Sequence, residues 1–188
     1  MRLLLLLFTL WSGVSASQNG LYVGLSGGSA FGDTIEQENA TISFEKSYLG
    51  ELVLGYEYKQ FALELEERYV YKSLYSINNY LATGDTRENA QMLNILYSGY
   101  NNSKLVSSIG VGVGQSSIKL QNVKQFSRAL VDVRNDSILS YQGLFRVAYR
   151  VTNSLRVTCS YSYFYKEKSE DFSSMGESSL AFGLRYNF

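Results

Sequence analysis

Apolar residues fall at every second position in eight separate stretches of this chain. Residues 21–29 set Leu21, Val23 and Leu25 on one side, with Tyr22, Gly24, Ser26 and Gly28 on the other. Residues 48–58 oppose Leu52, Leu54, Tyr56 and Tyr58 to Glu51, Gly55 and Glu57. Residues 61–71 oppose Phe61, Leu63, Leu65, Tyr69 and Tyr71 to Ala62, Glu64, Glu66 and Arg68. Residues 92–100, 105–116, 138–150 and 155–165 alternate in the same way. In 92–100 the polar side also carries Met92 and Leu96. The last stretch, 180–188, carries Leu180, Phe182, Leu184, Tyr186 and Phe188 on its apolar side. A period of two over this length predicts β-strands, and none of the stretches shows helical spacing.

The links between the strands alternate in length. Residues 59–60, 101–104 and 151–154 are short and turn-like, whereas 30–47, 72–91, 117–137 and 166–179 are long and polar. In an antiparallel meander this puts every short turn at one end and every long loop at the other. Short periplasmic turns and long extracellular loops mark a transmembrane barrel.

Alternation alone does not say which face points out, because a soluble barrel alternates with its apolar side inward. Three features decide for an apolar exterior. The polar stripes are rich in Gly, Ser and Ala, as the narrow interior of eight strands requires. Their charges nearly balance, with Glu51, Glu57, Glu64 and Glu66 against Arg68, Arg146, Arg150, Arg156 and Arg185; a closed interior tolerates charge only when it is paired. Tyr48, Tyr56, Tyr58, Tyr69, Tyr71, Tyr149 and Tyr163 sit towards strand ends on the apolar stripes, where interfacial girdles belong. Glu67 breaks the pattern on the apolar stripe of the third strand. Either it faces lipid, or a bulge near Glu66 turns it inward.

Composition narrows the chemistry. Among 188 residues there is no His and one Cys. This excludes Ser-His-Asp and Cys-His nucleophiles, His-ligated metals and an internal disulfide. No cofactor or metal site is expected. Lys+Arg and Asp+Glu are both 17, so no basic excess recruits nucleic acid. Residues 1–16 read as a secretory signal peptide, with Arg2 as the charged start, the apolar run Leu3–Trp11 and small residues up to Ala16. The barrel domain is then 17–188. Two other features have plain structural readings. "GVGVG" at Gly110–Gly114 is followed by no helical pattern, so its glycines line a strand face instead of cradling a dinucleotide. Cys159 lies between Val157 and Tyr161 on the apolar stripe as a small filler.

"GLYVGLSGG" at the first strand, "GVGVG" and the closing "LAFGLRYNF" together resemble the small eight-stranded outer-membrane barrels of Gram-negative bacteria, the OmpA/OmpX-type and opacity-protein-like surface proteins. The resemblance covers the mature chain. It implies an all-β, eight-stranded antiparallel up-and-down transmembrane barrel in the outer membrane, with lipid as its surroundings. It also implies that Leu180, Phe182, Leu184, Tyr186 and Phe188 form the signal read by the barrel assembly machinery.

Function is expected in the loops, since a rigid scaffold positions recognition there. The first is acidic, with Asp33, Glu36, Glu38 and Glu45 against Lys46; the third is basic, with Lys119, Lys124, Arg128 and Arg134 against Asp132 and Asp136. The leading expectation is a non-enzymatic surface protein that presents its loops to a host or cell-surface ligand, or supports the outer membrane. The alternative is a small porin-like channel through the charged interior. An enzyme is disfavoured by the absence of His.

Overall fold

The computed structural model describes residues 19–32, 34–37, 40–77, 80–100, 104–125, 128–129, 133–168 and 174–188. The expected signal peptide lies outside them. The strands in chain order are β1 (Gly20–Phe31), β2 (Thr34–Gln37), β3 (Ala40–Tyr58), β4 (Phe61–Ile77), β5 (Tyr80–Tyr100), β6 (Leu105–Gln125), β7 (Arg128–Ala129), β8 (Val133–Arg150), β9 (Leu155–Lys166) and β10 (Met175–Asn187). Eight of them close into an antiparallel ring, in the order β1, β3, β4, β5, β6, β8, β9, β10 and back to β1. The short β2 and β7 extend β3 and β6. Closure leaves no edge within the ring, so every strand there is hydrogen-bonded on both sides.

The register fixes the barrel's shape. One row runs from Leu25 through Leu52, Glu67 and Gln91 to Gln115 on β6. In the other direction it runs from Leu25 through Leu184, Val157 and Tyr149 to Leu105, also on β6. The two ends miss by the ten residues from Leu105 to Gln115. A shear of this size with eight strands belongs to tilts of about 35–45° and an interior that side chains fill.

The exterior is apolar through the middle of the barrel. Leu25, Leu52, Leu65, Ile95, Val111, Phe145, Val157, Phe182 and Leu184 all point outward and are exposed. Aromatics gather at two levels. Tyr56, Tyr58, Phe61, Tyr97, Tyr149 and Tyr186 lie towards the turns; Tyr48, Tyr69, Tyr141, Tyr163 and Tyr165 lie towards the other end. Phe61 and Tyr97 meet edge to face across β4 and β5, 5.4 Å between centroids. An apolar belt between aromatic girdles is the surface that a bilayer solvates.

The short links 59–60 and 151–154 fall as expected, and 101–103 lie outside the described residues. Lys59 makes the β3–β4 turn in the left-handed region (φ 56°), and the Asn19 side chain accepts its N–H at 2.6 Å. The long links do not. Of 72–91 only 78–79 lie outside the described residues; β4 continues to Ile77 and β5 starts at Tyr80. β6 likewise runs on to Gln125, and β3 begins at Ala40. The sequence marks a strand by an apolar face, and that face ends where lipid ends. The backbone ladder does not need it and continues into water.

These extensions are one-sided. β5 and β6 have 21 residues each, while β1 and β9 have 12. Pairing between β8 and β9 stops at Ser140 and Lys166, and between β1 and β3 at Gly28 and Leu49. Above those points β3, β4, β5, β6 and β8 form a projecting wall.

Glu67 pairs with Leu52 on one side and Gln91 on the other in unbroken register. There is no bulge beside it; the irregularity on β4 comes later, between Ser73 and Ser76. Glu67 therefore stays on the outer face.

Candidate functional site

The candidate site is the barrel interior, where the inward position of each strand delivers its side chain. Alternation along β4 sends Glu64, Glu66 and Arg68 inward together, yet each finds partners on different strands. Arg68 is fully buried at the centre. It donates to Glu51 of β3 at 3.0 Å and to Glu177 of β10 at 2.9 Å. Ser162 and Ser179 accept from the same guanidinium at 3.4 and 3.3 Å. The guanidinium lies 5.1 Å from the centre of the Phe164 ring.

Further towards the wall, Lys72 donates to Glu177, and Lys166 donates to Glu88 at 2.5 Å. Towards the turns, Glu64 accepts from the Tyr22 hydroxyl at 2.5 Å and from Arg146 at 2.5 and 3.2 Å. Glu57 accepts from Arg156 at 3.2 Å and from Arg185. Arg185 in turn stacks over Tyr22, 3.3 Å from the ring centre. Between the two halves, Glu66 accepts from the amides of Asn94 at 2.7 Å and Gln142 at 3.0 Å.

Of the nine charged residues read from the sequence, seven join ion pairs: Glu51, Glu57, Glu64, Arg68, Arg146, Arg156 and Arg185. Glu66 is held by amides. Arg150 sits half-buried at the turn end, with its Nε lacking a hydrogen-bond partner. Sequence reasoning missed Lys72, Glu88, Lys166 and Glu177 because they lay in the supposed loops. Counting by twos would have found them, since Lys72 follows Arg68 and Lys166 follows Arg156 through Ser162. It also missed Asn94, Gln142 and Phe164, and it left Tyr22 without a role.

The interior is filled. Buried hydrophobic side chains complete it: Tyr22, Val53, Ala62, Leu96 and Leu144 form one cluster, and Ala90, Met92 and Phe164 another. Glycines admit the larger side chains. A Cβ on Gly112 would stand 1.9 Å from Asn94 Oδ1, and one on Gly55 would stand 2.2 Å from the Tyr22 ring. Among the described residues, two pockets hold about 20 Å³ each, one beside Thr86 and Lys166 and one beside Tyr22 and Arg146. That is room for a water molecule and not for a substrate. No group of three or more His, Cys, Asp or Glu poised for a metal occurs among the described residues.

The residues expected to form the assembly signal lie together. Leu180, Phe182, Leu184 and Tyr186 face outward along β10, and the Phe188 ring meets Tyr186 edge to face at 5.2 Å. The Phe188 N–H donates to Leu21 O at 3.0 Å, which ties the end of the chain to its first strand.

An apolar exterior, girdles and a charged, plugged interior define the class: an eight-stranded outer-membrane β-barrel. Solved structures share the fold, two of them as follows. Neisserial surface protein A superposes with a TM-score of 0.66 at 16% identity, over 94% of this chain and 100% of that one. Ail, the attachment invasion locus protein of Yersinia pestis, in complex with the heparin analogue sucrose octasulfate, superposes with a TM-score of 0.52 at 14% identity, over 89% and 99%. No family profile matches the sequence, and no curated protein matches it.

Proposed function

We propose that the protein is a non-enzymatic surface protein of the bacterial outer membrane, with the barrel as anchor and the projecting wall as the part that meets a host or cell-surface ligand. The observation that carries this is the one-sided extension of β3–β8 above the girdle. A barrel that only stiffened the membrane would have no use for a ladder prolonged into water. Support comes also from the filled interior, which leaves recognition to the outside.

The ligand class we favour is a polyanionic glycan. Ail was solved with a heparin analogue, and the third extracellular segment here is basic. The test is to display the protein on cells and replace residues 118–136 by a tight turn. Loss of adhesion to heparin-coated surfaces, with unchanged surface levels, is expected. Undiminished adhesion in that variant would overturn the adhesin reading.

The channel reading requires a continuous lumen, and buried Arg68 and Phe164 stand across it. Purified protein in a planar bilayer is expected to be silent; discrete conductance steps would restore that alternative.

A further inference from the structure

The outer aromatic girdle has a gap. On β3, β4, β8 and β9 its outward positions are Tyr48, Tyr69, Tyr141, Tyr163 and Tyr165. On β5 and β6 the corresponding outward positions are polar. Gln91 pairs with Gln115, Asn89 with Ser117, and Arg87 with Lys119, each two residues further from the turns. All are exposed except Ser117, which is half-exposed. The three rows cover about 13 Å of strand at roughly 3.3 Å per residue. Below them the same two strands turn apolar, with Leu93 and Ile95 beside Val113 and Val111.

The top row is unfavourable on its own terms. Arg87 and Lys119 stand directly opposite one another, and Arg134 is next in register on β8. Like charges facing across a ladder are destabilising unless an anion lies between them. Asp85 approaches the Nε of Arg87 at 3.3 Å, and the Arg87 side chain remains 52% exposed.

We infer that this facet of β5 and β6 binds the headgroup of a phosphorylated outer-leaflet lipid. Phosphate lies against Arg87 and Lys119. Hydroxyl and carbonyl groups of the headgroup and linker meet Asn89, Ser117, Gln91 and Gln115, and Glu67 at the foot of the facet takes a hydroxyl. Acyl chains follow Leu93, Ile95, Val111 and Val113. The order of chemistries down the facet, cationic, then hydrogen-bonding, then apolar, is the order met on passing from the headgroup of such a lipid into its chains. This rests on the membrane placement of the barrel and not on any ligand of the wall.

The test uses the full mature chain refolded into phosphatidylcholine vesicles. One set contains a small fraction of diphosphoryl lipid A, and the other contains the same lipid without its phosphates. After gentle extraction, native mass spectrometry counts the lipid A retained per barrel, and gel mobility with and without boiling reports folding. R87Q/K119Q should fold and retain roughly thirtyfold less diphosphoryl lipid A than the parent, as expected for two lost basic contacts to an anionic surface. Parent and variant should not differ for the dephosphorylated lipid. Equal retention of diphosphoryl lipid A by the two would overturn the proposal. So would a lipid-independent dimer of the parent that Q91L/Q115L abolishes, since the facet would then belong to a second copy. Should the double variant not fold, K119Q alone is read in the same way.

Discussion

At the scale of the residue, Arg68 carries the largest expectation. It is fully buried and neutralises Glu51 and Glu177. Removing one member of a buried pair leaves an uncompensated charge and costs about 3–5 kcal/mol. Arg68→Met is expected to lower stability by that amount in reversible urea unfolding from lipid vesicles. Glu66→Gln is the contrast. Its partners are amide donors, and a Gln carbonyl accepts from them as well, so the loss should stay near the ~1 kcal/mol of an ordinary hydrogen bond. Gly112→Ala places a methyl on Asn94 Oδ1 and should cost about 1–3 kcal/mol by overpacking. The inward charges on the membrane-spanning strands were legible in the sequence because period two sorts side chains by face. Their pairing was not. Glu64, Glu66 and Arg68 are neighbours along one strand, and only the shear of the barrel sends them to Arg146, to Asn94 and Gln142, and to Glu51 and Glu177.

At the scale of the element, the turn-side ends of the strands were legible and the far ends were not. Apolar alternation reports contact with lipid, and β5 loses its apolar face at Leu93 while its hydrogen bonds continue to Tyr80. β4 shows the reverse case. Glu67 reads as a fault in the stripe, and only the regular register settles that it faces outward. A carboxylate on the lipid face costs least near an interface, up to about 1 kcal/mol. Glu67→Leu should therefore raise stability by no more than this in the same urea assay; a loss would show that the carboxylate has a partner worth more than its burial. On β10 the expectation concerns assembly. Deleting Phe188 should reduce the amount of folded protein at the cell surface, measured by protease accessibility on intact cells. Normal surface levels would show that the closing residue carries no assembly information.

At the scale of the whole molecule, the up-and-down order was legible from the links, because seven connections alternating from long to long join eight strands with both ends on the short-turn side. The projecting wall was not legible. It depends on which neighbouring strands stop early, and β9 and β1 give no sequence signal for stopping beyond the loss of lipid contact that β5 and β6 share. Heat modifiability should report the barrel as a unit: unboiled and boiled protein should migrate differently in a denaturing gel, in the parent and in the 118–136 replacement alike.

The final strand also decides the order of events when the barrel is made. Glu177 on β10 is the shared counter-ion of Arg68 and Lys72 on β4, and Arg185 on β10 sits on Glu57 of β3. Until β10 arrives, an incomplete sheet would lack the carboxylate shared by Arg68 and Lys72 and the second guanidinium on Glu57, on the face that is about to become the inside. Releasing such an intermediate into hydrocarbon is forbidding, so insertion of single hairpins one after another is a poor route. The growing chain has to be sheltered until its last strand docks, and release is coupled to the moment when Glu177 and Arg185 of β10 complete their ion pairs.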